Sequence, residues 1–146
     1  MFATPDQIVE TVVARFNSRA SEMGFGFRAS AYLPVKVADI KEASSTGSDG
    51  GGRAVSNCRH LCIYAIAKHC VHENPFTETH RQLSYSAIAG IFSRRSNTIP
   101  NSLVAACKLL SETVYAEVYQ SALDDLNEKG LELWRAKFTR VDCDKR

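Results

Sequence analysis

The sequence predicts an all-α protein, a helical bundle containing a helix-turn-helix, with a separate N-terminal helix. Three observations carry this. Apolar residues recur at three- and four-residue steps over most of the chain. Hydroxyl caps, prolines and glycines punctuate those runs where helices start and stop. One stretch, Val55 to Val71, is apolar all round, as a buried central helix must be. A chain of 146 residues with 45% hydrophobic and 23% charged residues can bury such a core without disulfides or metal.

The elements follow in order. Thr4-Pro5-Asp6-Gln7 reads as a helix start: a hydroxyl N-cap, a proline in the first turn, and an acid at the positive end of the dipole. Ile8, Val9, Val12, Val13, Phe16, Ala20 and Met23 then fall on one face, and Gly24 and Gly26 stop the helix. Residues 25–34 have no clean period and read as a short extended segment. Residues 43–53, with Ser, Thr, Asp and four glycines, read as a flexible linker between an N-terminal unit (1–42) and a helical domain (54–146). The glycine run is no phosphate loop, because no Lys-Ser/Thr follows it and no apolar strand precedes it.

Beyond the linker every element is expected to be helical. Asn74-Pro75 breaks the central helix, and a polar connection leads to Leu83. Ser84 caps a short helix, Tyr85 to Phe92, with Ile88, Ala89 and Phe92 on its core side. A polar turn, Ser93 to Thr98, precedes a helix with Pro100 in its first turn and Thr98 or Ser96 as its cap. Leu103, Ala106, Cys107, Leu110, Val114 and Val118 face inward from there. One or two further helices run through Leu123 and Leu126 to Trp134 and Phe138, with Gly130 as the break.

Charge narrows the function. The overall +2 is uninformative, but residues 53–108 carry seven Lys/Arg against two Asp/Glu, net +5, and all four histidines. The flanks are net −1 and −2. A basic centre between acidic ends is the electrostatic footprint of a polyanion site. Met1 to Glu10 lacks a secretory signal pattern, and no run reaches the ~20 apolar residues of a membrane span. The protein is therefore expected in the cytoplasm, with no membrane partner and its five cysteines reduced.

The basic block contains the chemistry. Two helices joined by a turn place the second helix in the major groove, with its N-terminal residues against base edges. Arg94 and Arg95 in the turn are suited to phosphates. Asn101 and Ser102 lie on the expected outer side of the second helix, where Asn can read adenine and Ser several bases. Lys108 lies two turns on, near a flanking phosphate, and Arg59 frames the site. The bland alternative is a helical hairpin with a solvated face.

Arg59 to Lys68, Leu83 to Phe92, Arg94-Arg95-Ser96-Asn97-Thr98 and Leu103 to Lys108 together resemble the C-terminal DNA-binding domain of the bacterial replication initiator DnaA, a Trp-repressor-like helix-turn-helix family. The resemblance covers about residues 55–112. It implies an all-α domain that binds duplex DNA through a basic loop and a reading helix. The chain departs from the family pattern at Asn57, which stands where the family carries a minor-groove Arg. The family's base-reading tetrad falls on Ser96-Asn97-Thr98-Ile99 by motif, or on Pro100-Asn101-Ser102 if Ala106-Cys107 is the anchor. Asn97 and Thr98 are thus alternatives to Asn101 and Ser102. No nucleotide-binding domain is present, so no ATPase activity is expected.

The expected function is a sequence-specific double-stranded DNA-binding protein, a transcription or replication regulator and not an enzyme. The alternative is a protein-interaction module on a DnaA-like scaffold that has lost base reading. In that case the apolar N-terminal helix takes the partner. Otherwise its apolar face needs a cover, either the helical domain or a second copy of the chain, and a homodimer of that kind reads palindromic DNA sites. Cys58, Cys62 and His69 share one side of a helix but lack a second Cys/His pair at zinc-site spacing, so no metal and no cofactor are expected. Tyr115, Tyr119 and Trp134 read as packing residues, and the acids from Asp124 to Glu132 as a solvated face.

Overall fold

The computed structural model describes residues 2–30, 33–42, 52–73 and 80–133. It is an all-α bundle in which α1 (Pro5–Arg19), α4 (Gly52–His69), α6 (Ile99–Leu110) and α7 (Thr113–Glu128) carry the core. Shorter helices α2 (Phe27–Ser30), α3 (Val37–Lys41) and α5 (Tyr85–Ile91) complete it. A small antiparallel hairpin, β1 (Val71–Glu73) with β2 (His80–Gln82), projects between α4 and α5, pairing Val71 with Gln82 and Glu73 with His80. The sequence reading had a polar connection there, because three-residue strands are too short to display a period. Likewise residues 27–30 form one helical turn and no extended segment.

The start of α1 follows the expected chemistry. Thr4 Oγ1 accepts a hydrogen bond from Gln7 N at 3.2 Å, and Thr4 N donates to Gln7 Oε1 at 2.9 Å, a complete capping box. The helix is not separate, however. Ile8, Val9, Val12 and Phe16 are fully buried against α4 and α7, in the same core as Leu61, Ile66 and Leu126. The Phe16 ring lies 6.3 Å from Tyr115 and 6.0 Å from Phe25, centroid to centroid. Of the covers open to this face, the helical domain is the one the structure uses, and no second copy is needed for it, since an apolar stripe this wide is buried wherever the chain can reach it. Ion pairs seal the rim of that packing: Arg15 with Asp125, and Arg19 with Glu117 at 2.8 Å and with Glu22. Asp125 is therefore not part of a merely solvated face. The Arg15 guanidinium holds its carboxyl below the usual range.

Helix α4 is the buried centre, with Ala54, Val55, Cys58, Leu61, Cys62, Ile63, Ala65 and Ile66 at 0–1% exposure. It begins at Gly52, so the last two residues of the expected linker are helical, and positions 43–51 lie outside the described residues. Asn74-Pro75, Trp134 and Phe138 also lie outside them. The expectation of reduced cysteines holds for the buried Cys58, Cys62 and Cys70, whereas Cys107 is disulfide-bonded. Periodicity ran α6 into α7 without a break, but Ser111-Glu112 separates them. Gly130 ends α7 at φ +79°, with Leu131 N donating to Leu126 O and Gly130 N to Asn127 O. This is a Schellman motif with glycine at its left-handed position. Among the described residues, no helix is long and apolar enough to cross a membrane.

Candidate nucleic-acid interface

Helix α5 starts where Ser84 Oγ accepts from Ala87 N at 3.1 Å, and it seats Ile88, Ala89 and Phe92 in the core. Its far end is a second Schellman motif, with Arg94 N donating to Ala89 O at 2.9 Å and Ser93 N to Gly90 O at 3.4 Å. Here the left-handed residue is Ser93, at φ +54°, where glycine is usual. The motif turns the chain sharply and sets Arg94 on the inner side of the bend and Arg95 on the outer side. Arg94 is half-buried, and Arg95, Ser96 and Asn97 are exposed.

A 3-10 turn, Ser96–Thr98, leads straight into α6. These three residues are the ones by which the two alignments of the reading helix differ. Neither Ser96 nor Thr98 caps α6 with its side chain. The Thr98 hydroxyl instead donates backward to Arg95 O at 2.7 Å, because the 3-10 geometry brings that carbonyl within reach. Thr98 is thereby engaged in holding the turn. Asn97 sits exposed on the turn and Asn101 exposed on the first turn of α6.

The outward face of α6 presents Asn101, Val104 and Lys108, all exposed. Val104 is 43% exposed, an apolar side chain between two polar ones, and sequence reading passed over it. Ser102, expected on that face, is only 8% exposed. It lies one helical turn before Ala106, which is fully buried, so helical geometry turns it toward α4.

Arg59 also differs from expectation. It is 5% exposed, and its guanidinium donates to the carbonyls of Ile40 (2.9 Å) and Asp39 (3.3 Å). Those bonds tie α4 to the end of α3, where a cation meets unsatisfied helix carbonyls. Burial, and then the charge of Arg94, lower its pKa to about 10. Asn57 is likewise structural, its Nδ2 donating to the Tyr115 hydroxyl at 3.0 Å.

Arg59, Arg94, Thr98, Asn101 and Ser102 nevertheless converge. They line a cleft of about 420 Å³ between the first halves of α4 and α6, together with Ser56, His60 and Ala105. Ser56, Arg59 and His60 share one face of α4 at steps of three and four, a signal legible in the sequence once α4 is known to face α6 there. Sequence reading missed His60 as a site residue. Burial, with Arg59 and Arg94 adding to it, pushes its imidazole down to about 4. Among the described residues, no carboxylate lines the cleft. Among the described residues, no ion pair includes Arg53, Arg59, Arg94, Arg95 or Lys108.

Arg95 and Asn97 are thus exposed on the turn, and Asn101, Val104 and Lys108 along the outward face of α6, while Arg59, Ser102 and His60 lie in the cleft behind. No protein-family model matches the chain, and neither the curated proteins nor the solved structures give a match.

Proposed function

We propose that the protein binds double-stranded DNA sequence-specifically and acts as a transcription or replication regulator without ATPase activity, on a scaffold resembling the DnaA C-terminal domain. The observation that carries this reading is the Arg94-Arg95 turn, without an ion pair among the described residues, leading into a helix whose outward residues are Asn101, Val104 and Lys108. In the major groove Asn101 pairs with an adenine edge through its amide, and Val104 packs on a thymine methyl. Together they favour an A·T pair near the start of α6. Arg94, Arg95 and Lys108 neutralise phosphates on either side, and Asn97 reaches the backbone from the turn.

The interaction-module alternative loses its surface, because the apolar face of α1 is buried in the chain's own core. Mobility shifts of random duplexes against rising salt test the reading. Arg94→Ala with Arg95→Ala is expected to reduce the slope of log K against log salt by about 2 and to weaken binding at least tenfold. In vitro selection with Asn101→Ala is expected to relax one adenine position. Wild-type protein that shifts no duplex at low salt would overturn the proposal.

A further inference from the structure

The α4–α6 cleft gathers two guanidinium groups and an imidazole, with no acid beside them among the described residues. His60 and Arg94 line it, and Arg59 closes its floor. Among the described residues, His60 Nδ1 and Arg94 Nε are the buried side-chain nitrogens with no hydrogen-bond partner. An unsatisfied buried polar atom costs about 1–3 kcal/mol, so two on residues that line one cleft mark that cleft as incomplete. The two arginines also oppose charge on their neighbours: Arg94 acts on Arg59, and both act on His60. Clustered cations that carry no counter-charge of their own are complementary to an anion brought in from outside. The rest of the lining is neutral, and Ser56, Asn101 and Ser102 carry side-chain donors.

We propose that this cleft is an oxyanion site: a phosphoryl group seats beside Arg94 and His60, and His60 takes up one proton from water as it binds. The imidazole changes from neutral to imidazolium, and no other bond is made or broken. The charged groups acting on His60 are Arg59 from its own helix and Arg94 from the turn, while the side of the cleft formed by the 3-10 turn and α6 contributes only neutral residues. Both cations disfavour the imidazolium, and so does burial. A bound anion reverses that balance. Anion affinity therefore rises as pH falls, about tenfold per pH unit, between the titration point of His60 in the occupied cleft and that in the free protein. The free phosphate of a small phosphorylated molecule and a phosphate of a nucleic-acid backbone offer the same chemistry. The proposal stands independently of duplex recognition.

The test is an NMR titration of the imidazole Cε1 protons in the intact chain, with the His60 signal assigned by its loss in His60→Gln. Sulfate, which stays dianionic across the range, is the first probe. With saturating sulfate the His60 titration point is expected to move up by at least about one pH unit, a tenfold linkage, while the other three histidines stay in place. Arg94→Gln is expected to abolish the shift, and Arg95→Gln to keep it. A His60 curve unchanged by sulfate, by inorganic phosphate and by a duplex alike would overturn the proposal, as would a shift of the same size in Arg94→Gln. A response to sulfate and inorganic phosphate identifies a small-anion site. A response to the duplex alone identifies a backbone phosphate as the occupant. If the protein binds duplex while His60 never responds, the cleft proposal fails and DNA binding survives. If sulfate moves His60 but no duplex shifts, the reverse holds.

Discussion

The α1–α7 face and the α4–α6 cleft treat charge in opposite ways. On the first, Arg15 meets Asp125 and Arg19 meets Glu117 and Glu22, each cation with a carboxylate. On the second, Arg94 and His60 line one cleft with no acid beside them among the described residues, and Arg59 donates to carbonyls. The first arrangement closes a hydrophobic seam that has no further task. The second leaves electrostatic potential available to a ligand. Residual unfavourable charge in a fold is a better pointer to function than any count of positive residues, because paired charges stabilise and attract nothing. The overall +2 hides both facts.

The largest expected effect removes the seam that holds both regions. Phe16→Ala empties a fully buried position between α1, Tyr115 and Phe25, and is expected to cost about 3–5 kcal/mol in denaturant unfolding. Because α1 shares one core with α4, cleft and seam should unfold in a single transition. Two separated transitions would restore the idea of an independent N-terminal unit.

The next effect is confined to the cleft. His60 in the folded protein titrates at about 4, below its ordinary value of 6.5. Between those points the unfolded chain binds the extra proton, so stability is fully present above pH 6.5 and is lost as pH falls toward 4. The loss amounts to about 3 kcal/mol at most. His60→Gln should remove that share of the acid sensitivity, measured as the difference in unfolding free energy between pH 7.5 and pH 4.5. An unchanged acid profile would show that the cleft does not resist protonation.

Smaller effects set the two regions against each other directly. Ser93→Gly relieves a left-handed serine in the turn that presents Arg94, and is expected to stabilise the fold by about 0.5–1 kcal/mol. The same motif at the end of α7 already has Gly130, so Gly130→Ser should destabilise the fold. Thr4→Ala removes the capping box and should cost about 1 kcal/mol. Smallest is the contrast between Arg15→Ala and Arg94→Ala in thermal unfolding. The first loses a partner and should lower the midpoint, whereas the second removes an unpaired cation and should not. A drop on Arg94→Ala equal to that on Arg15→Ala would erase the distinction between the regions.

Much of the fold was legible because it depends on near neighbours in the chain. The Thr4 and Ser84 caps, the all-apolar α4, Pro100 in the first turn of α6 and the inward Leu103 and Ala106 all follow from spacing and local hydrogen bonding. The hairpin 71–73 with 80–82 and the single turn of α2 were not legible, being too short to establish a period. At the site, the basic turn and the exposed Asn101 were visible in the sequence. The roles of Arg59, Asn57 and Ser102 were not.

Periodicity and charge order alone establish a helical chain with its positive charge gathered between residues 53 and 108. Helix periodicity and charge order along a chain are local properties. Which cations are neutralised is not. Arg15 and Asp125 lie 110 positions apart, and Arg59 finds its acceptors 19 and 20 positions away, so only the packing of α1 on α7 and of α3 on α4 selects those partners. The tertiary structure also brought His60 to Arg94 across the cleft and covered the apolar face of α1. Burial and long-range pairing are set by which faces meet, and that decision moved the candidate chemistry from a list of basic residues to one unbalanced cleft.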